Sequence, residues 1–407
     1  MSVQLTRGQA PAVAPGRAEP HVRKEFLPFA VPMLGEEEIA AVVECLRSGW
    51  LTTGPRAEAF ELAFAGFLGC RHALAVTSCT AALHLALEAV GVRPGDEVIT
   101  SPMTFTATGA VIEHLGARPV LVDCDAATLN LDPGLLEAHL TPRTRAIMPV
   151  HFAGHPCEMD RILAVARHHR VAVVEDAAHA LPAAHHGRRI GTLGDVTCFS
   201  FYVTKTITTG EGGMATTDRD DLAERMRTMR LHGMTRDAWK RYRGDGSWAY
   251  DVLDAGFKYN LTDIAASIGI HQLHRCDAFH LRRQAIARRY TAAFAGLPGL
   301  AVPPPVAGGV HAWHLYVMRL EPGALTLDRD GFLHQLRVRN IGASVHFRPL
   351  HLLTHYRQRY GFVAGDLPNA TAAAARVFSL PIYPRMTDQD VDDVIDAVLE
   401  IARGYRR

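Results

Sequence analysis

The chain has 407 residues, 48% of them apolar and 21% charged, and 43 Lys plus Arg against 42 Asp plus Glu give a formal charge of +1. That length predicts two or three domains at ~150 residues each, and the composition excludes a mainly disordered or fibrous chain. Near-neutrality leaves no global field for nucleic acid or an anionic membrane, so neither is expected as a partner.

In chain order, residues 1–25 hold Arg7, Pro11, Pro15, Arg17 and Pro20 without an apolar stretch. They read as a flexible N-terminal arm and not as a signal peptide. The most apolar run, 73–92, is interrupted by Thr77, Ser78, Thr80, His84 and Glu88, short of the ~20 residues a membrane helix needs. From about 70 to 220, strands at 74–76, 96–99, 119–122, 146–150, 171–174, 196–202 and 213–217 alternate with helices at 81–90, 107–115 and 159–169. Asp132-Pro133 predicts one more helix, with Asp as cap and Pro at its first position. This alternation predicts an α/β fold, a mostly parallel sheet covered on both faces. Past 275 the pattern fades into an Arg-rich helix at 280–295, a linker marked by Pro303-Pro304-Pro305 and Gly308-Gly309, a strand at 315–320 and a helix at 387–401. The expected organisation is a large domain over 26–275 and a smaller C-terminal α+β domain over 276–407. Seven cysteines stand singly with no CxxC pair, which fits a reducing cytoplasm.

Ligands of such sheets bind at the carboxyl ends of the strands, and three clusters lie there. Thr77-Ser78-Cys79-Thr80 ends a strand and opens a helix; free N–H groups and hydroxyls at a helix start suit a phosphate, though ordinary capping by Ser78 or Thr80 explains the same residues. Glu175-Asp176-Ala177-Ala178-His179 places two carboxylates and a histidine at another strand end. A buried carboxylate needs a cationic partner, or it caps the next turn. Ser200 and Lys205 follow a third strand and precede Gly210-Glu211-Gly212-Gly213. A lysine there loses its proton easily and serves as nucleophile or base, unless it is only a solvated loop residue. Taken together, the clusters suit pyridoxal 5′-phosphate, which offers a phosphate, an aldehyde and a cationic nitrogen. A carboxylate 4 Å from that nitrogen, at an effective dielectric near 20, attracts it by roughly 4 kcal/mol, about three pKa units.

These stretches, with 150–157, 256–263 (Gly-Phe-Lys-Tyr-Asn-Leu-Thr-Asp) and 346–349 (His-Phe-Arg-Pro), closely resemble the signature of the DegT/DnrJ/EryC1/StrS sugar aminotransferase family, from about Phe29 to the C-terminus. The resemblance implies the aspartate-aminotransferase-like architecture, fold type I. It implies Lys205 as covalent anchor and proton carrier, Asp176 beside the pyridine nitrogen, and His179 near the ring and substrate. It further implies Ser200, Ser78, Cys79 and Thr80 around the phosphate and Phe105 stacked on the pyridine. Many relatives carry glycine where Cys79 stands, which would strain a cysteine if that position needed a positive φ. Asn260 matches a residue reaching the phosphate in the neighbouring subunit, which implies a homodimer with shared sites. The stretches 48–55 and 311–315 resemble enzymes that aminate C4 of UDP-4-keto sugars, and place Thr53, Trp313 and His314, with His346 and Arg348, on the substrate side. His346 and Arg348 read equally well as solvated loop residues.

The implied reaction is a ping-pong transfer of an amino group from L-glutamate, giving 2-oxoglutarate, to a nucleotide-linked keto sugar of polysaccharide or lipopolysaccharide biosynthesis. The alternatives are a cyclitol aminotransferase, a pyridoxal-phosphate-dependent sugar dehydratase, and a cofactor-binding regulator without catalysis. Lys205 disfavours the dehydratases, which resemble this chain but carry histidine there. Among 22 histidines, His351/His355 and the adjacent His185-His186 invite a metal, but no HExxH and no Cys/His quartet occurs, and no metal is expected. Arg282-Arg283 and Arg288-Arg289 read as a solvated or interface face of their helix.

Overall fold

The computed structural model describes residues 22–235 and 250–407. The first part of the chain forms α1 (Glu36–Ser48), α2 (Pro55–Leu68), β1 (His72–Val76), α3 (Cys79–Ala89), β2 (Glu97–Thr100), α4 (Thr106–His114), β3 (Arg118–Leu121) and β4 (Thr144–Met148). It continues with α5 (Met159–His169), β5 (Ala172–Asp176), the two-residue strands β6 (Ala184–His185) and β7 (Arg188–Arg189), β8 (Val196–Ser200), β9 (Gly213–Thr217), α6 (Asp220–Met229) and α7 (Asp263–His274).

Seven strands form one sheet in the order β1-β9-β8-β5-β4-β2-β3. Only β9 runs against its neighbours. Alternate side chains of each strand face opposite layers. Val174, Cys198 and Ala215 pack with Leu83, Ala86 and Leu87 of α3. Ala75, Phe199 and Met214 pack with Phe60 and Phe64 of α2. The sheet is therefore covered on both faces, and its strands are nearly all apolar for that reason. The carboxyl ends of β1, β2, β4, β5 and β8 share one edge, where the polar clusters of the sequence fall.

The helix expected after Asp132 does not form. Asp132 does cap a turn by accepting from the Gly134 N–H (2.8 Å), but only two 3-10 turns follow, Pro133–Leu135 and Glu137–His139. Pro142 disfavours helical backbone at Thr141 and Gly134 lowers propensity, so too few residues remain for a cooperative helix.

The remainder comprises α8 (Cys276–Phe294), β10 (Leu300–Ala301), β11 (Gly309–Val310), β12 (Tyr316–Leu320), α9 (Arg329–Val338), α10 (Thr354–Tyr360), α11 (Pro368–Ala374), β13 (Val377–Leu380) and α12 (Asp388–Gly404). An antiparallel sheet, β10-β12-β13, packs with α8, α9 and α12 through Tyr290, Phe294, Phe332, Phe378, Val394 and Ile401. Thr387 caps α12 and Asp390 reciprocates, a complete capping box. The Pro/Gly segment is more than a linker, because Gly309 and Val310 pair with β6.

Residues 1–21 of the expected arm lie outside the described residues. Those just after are docked: Arg23 pairs with Asp390 and Asp393 of α12, and Leu27 bridges to Ile341. The basic face of α8 is not free either. Arg282 and Arg289 pair with Asp388, and Arg283, 2% exposed, donates to the carbonyls of Trp313, His314 and Ile382.

One buried carboxylate fixes the start of α2. Asp263, 1% exposed, accepts from the N–H groups of Gly54 (2.7 Å), Ala57 (3.0 Å) and Arg56 (3.1 Å). These are donors with no intrahelical partner. Asp263→Ala orphans all three, and a urea melt is expected to show a loss of roughly 2–3 kcal/mol.

Candidate active site

A cavity of about 490 Å³ opens at the carboxyl edge of the sheet. Ser78, Cys79, Thr80, Phe105, Asp176, His179, Ser200, Lys205, His314 and His346 all line it. Residues from 78 to 205 converge because each follows a strand whose end points to the same place, and His314 and His346 reach the cavity from the C-terminal part.

The loop after β1 turns into α3. Ser78 caps that helix by accepting from the Ala81 N–H (3.1 Å). The N–H groups of Cys79 and Thr80 have no acceptor among the described residues, and they carry the positive end of the helix dipole. Gly213 permits this approach, since a Cβ there would lie 2.5 Å from the Cys79 nitrogen. Cys79 begins a regular helix and is not among the positive-φ residues, so a cysteine in place of glycine brings no strain.

Along β5 the two carboxylates part, as neighbours on a strand must. Glu175 turns away from the cavity, 2.9 Å from His151 Nε2. It also accepts from Thr197 Oγ1 (2.7 Å) and the Gly194 N–H (2.8 Å). His151 Nδ1 accepts from the Cys157 N–H (3.0 Å), which makes Nε2 the protonated nitrogen donating to Glu175. Burial pushes Glu175 up, and these donors outweigh it and hold it below the ordinary carboxylate range. Glu175 is thus a structural partner.

Asp176 faces the cavity, 5% exposed. Thr108 Oγ1 donates to it (2.8 Å), as does the Ala178 N–H (3.1 Å), and Thr104 lies 2.6 Å from the Thr108 hydroxyl. Burial raises its pKa, and Thr108, Ala178 and nearby Lys205 only partly counter this. Among the described residues Asp176 forms no ion pair, and Lys205 acts on it only from a distance. The side-chain amine of the half-buried Lys205 has no hydrogen bond or ion pair among the described residues, and desolvation lowers its pKa to about 8.

Three neutral rings complete the wall. His179 Nδ1 accepts from the Ala153 N–H (3.3 Å), and its ring lies 4.4 Å from His314 and 5.8 Å from Phe347, centroid to centroid. Burial and then Lys205 hold His179 well below its usual range. His314 is held down by burial and His179, and its Nδ1 is buried without a partner. Burial and Lys205 push His346 down to about 4, and its Nδ1 lies 2.9 Å from Ser379 Oγ.

Four expected residues do not line this cavity. Asn260 donates to Thr53 Oγ1 (2.5 Å), which donates to the Leu261 carbonyl, and Lys258 donates to Asn260. Trp313 stacks on His311 at 3.9 Å, beside the cavity. Arg348 is exposed. Conversely, Thr104, Thr108, Tyr202 and Phe347 line it without having been singled out. The i,i+4 threonines after a strand end were the one readable signal for the pair at 104 and 108.

These features fit pyridoxal 5′-phosphate: unpaired N–H groups for a phosphate, a buried acid lacking a cation, and a neutralisable amine without a partner. Thr108→Val keeps the shape and removes a donor to Asp176. Cofactor affinity, followed by absorbance titration, is expected to fall about tenfold; an unchanged affinity contradicts this part of the site.

The comparisons agree with the geometry. Residues 32–399 match the family model described as the DegT/DnrJ/EryC1/StrS aminotransferase family. The chain is 51% identical over 383 residues to the spore coat polysaccharide biosynthesis protein SpsC of Bacillus subtilis, covering 94% of this chain and 98% of that one. Among solved structures it is similar to the PLP form of the putative sugar aminotransferase Spr1654 from Streptococcus pneumoniae, with TM-score 0.87, 35% identity, and 93% and 99% of the two chains covered. It is also similar to Helicobacter pylori PseC, an aminotransferase involved in pseudoaminic acid biosynthesis, with TM-score 0.87, 29% identity, and 94% and 100% covered. With its fold, its cavity and a match over most of its length, the chain belongs to the DegT/DnrJ/EryC1/StrS family of pyridoxal-phosphate-dependent sugar aminotransferases.

Proposed function

We propose that this enzyme transfers an amino group from L-glutamate to C4 of a UDP-linked 4-keto sugar by a ping-pong mechanism. The observation that carries the reading is the meeting of a partnerless Lys205 and a buried, uncompensated Asp176 in one cavity at the start of α3. The sugar class rests on the relatives: SpsC is named for polysaccharide biosynthesis and PseC for a sugar acid.

Pyridoxal phosphate supplies an aldehyde carbon that accepts and returns an amino group, and a ring that accepts electrons when its nitrogen is protonated. Lys205 would hold the cofactor through Nζ and would carry a proton to and from the reacting carbon. A pKa near 8 suits both tasks at neutral pH. Asp176, fixed by Thr108 and the Ala178 N–H, holds the proton on the ring nitrogen. Ser78, the N–H groups of Cys79 and Thr80, and Ser200 bind the phosphate. Phe105 and the neutral ring of His179 flank the cofactor. His314 and His346 add uncharged hydrogen-bonding edges toward the sugar, with Thr53, Trp313 and Arg348 farther along the substrate path. Asn260, drawn up beside Lys258 and Thr53, reaches the phosphate of a second subunit in a homodimer. We divide the chain into a large domain to residue 275 and a small one from 276, and place the protein in the cytoplasm, consistent with seven free cysteines.

Lys205→Ala is expected to lower turnover by roughly 10³-fold or more, and borohydride reduction of the wild-type holoenzyme to label the peptide containing Lys205. Turnover near the wild-type rate, or a label on another lysine, refutes its role. The substrate is identified by loading the enzyme with pyridoxamine phosphate and offering UDP-, dTDP-, GDP- and CDP-linked keto sugars. The UDP-4-keto sugar is expected to restore the absorbance of the pyridoxal form.

The lowered lysine pKa sets a pH dependence. Below about pH 8 the amine is protonated, and only the neutral form attacks an aldehyde. Capture of pyridoxal phosphate by the apoenzyme should therefore quicken about tenfold per pH unit below that value and level off above it. A stopped-flow profile that keeps rising to the ordinary lysine range contradicts the assignment.

A further inference from the structure

Outside the cavity, the strongest unassigned cluster sits on the β6–β7 hairpin. Its two-residue turn, His186-Gly187, has φ of +45° and +78°, the paired positive values of a type I′ turn. Asn or Gly is favoured at the first position because a side chain is strained there, yet histidine occupies it. The turn brings two consecutive side chains, which a straight strand would send to opposite faces, into a stack with ring centroids 4.2 Å apart. Both rings meet the carboxylate of Asp160, in the first turn of α5. His185 Nε2 lies 3.2 Å and His186 Nδ1 2.8 Å from Asp160 Oδ2, and the ligand atoms of the three residues lie within 4.8 Å of one another.

Two imidazoles and a carboxylate form a ligand set for Zn²⁺ and its borderline neighbours. Tetrahedral binding at ~2.0–2.1 Å places donor atoms roughly 3.4 Å apart, so small side-chain rotations turn this hydrogen-bonded trio into a coordination shell. The His185 side chain is 9% exposed, while those of His186 and Asp160 are 57% and 63% exposed. The buried ligand gives the site a fixed point, and the open side leaves positions for water.

We propose that Asp160, His185 and His186 bind a divalent transition metal, Zn²⁺ by preference, which clips the β6–β7 hairpin to α5. This departs from the expectation of no metal, since the ligands come from distant parts of the sequence and match no spacing motif. The clip has a route to the active site. β6 also pairs with β11, and the chain leaving β11 runs directly through His311 and Trp313 to His314 in the cavity wall. The metal thus stiffens the crossing segment without touching the reacting groups.

The test uses tag-free holoenzyme stripped with EDTA and titrated with ZnCl₂ by calorimetry and thermal unfolding. One strongly bound equivalent per chain and a raised Tm are expected. His186→Gly removes a ligand and places glycine where φ is positive, so its metal-free Tm should equal or exceed the wild type's. Asp160→Asn removes the carboxylate. Each variant should weaken the zinc equivalent by at least about tenfold and lose the zinc-dependent rise in Tm. No strongly bound zinc in the wild type, or its retention by either variant, overturns the proposal.

Discussion

A carboxylate buried at the end of a central strand governs this molecule's active edge. Asp176 sits where the sheet is covered on both faces, and burial drives it toward its neutral form. Keeping it ionised requires a cation, since an unpaired charge in such surroundings is expensive. Thr108 and the Ala178 N–H orient the carboxylate but bring no charge. A cofactor with a basic ring nitrogen meets the requirement. At 4 Å and an effective dielectric near 20 such a pairing would be worth roughly 4 kcal/mol, and it would keep the acid ionised and the ring protonated.

The same desolvation acts in the opposite sense on the basic groups. It lowers Lys205 into the range where the neutral amine is available, and it holds His179, His314 and His346 uncharged. The histidines therefore enclose the site without adding cations that would compete for Asp176. The positive potential comes instead from the start of α3, whose unpaired N–H groups cannot be titrated. Acid, amine and phosphate cradle are tuned by one physical cause, exclusion of water, acting on groups of different charge type.

The site also depends on how the C-terminal part packs. His314, His346 and Phe347 come from beyond residue 275. The guanidinium of Arg283 holds the carbonyls at 313, 314 and 382 together, and the extended pair at 309–310 ties the entering segment to the β6–β7 hairpin. The C-terminal wall of the cavity is thus built from segments anchored by buried polar bonds, while the opposite wall is built from strand ends.

The sequence by itself determined the alternation of strands and helices, hence the covered parallel sheet, because hydrophobic period and turn residues are local properties. It also put Lys205, Ser200, the cluster at 78–80 and the pair Glu175-Asp176 at strand ends, where such sheets bind ligands. It misread 132–140, where Pro142 and Gly134 leave too short a segment to propagate a helix, and it took Arg283 for a surface residue. Which of Glu175 and Asp176 faces the cavity depends on strand parity and on the partner at His151. The support from Thr104 and Thr108, the neutral state of three histidines, and the meeting of Asp160 with His185 and His186 depend on distances between residues far apart in the chain. Only tertiary structure decides these, because burial and the proximity of distant charges are properties of the packed molecule; the spaced threonines and the adjacent histidines are visible in the sequence, but the partners they meet are not.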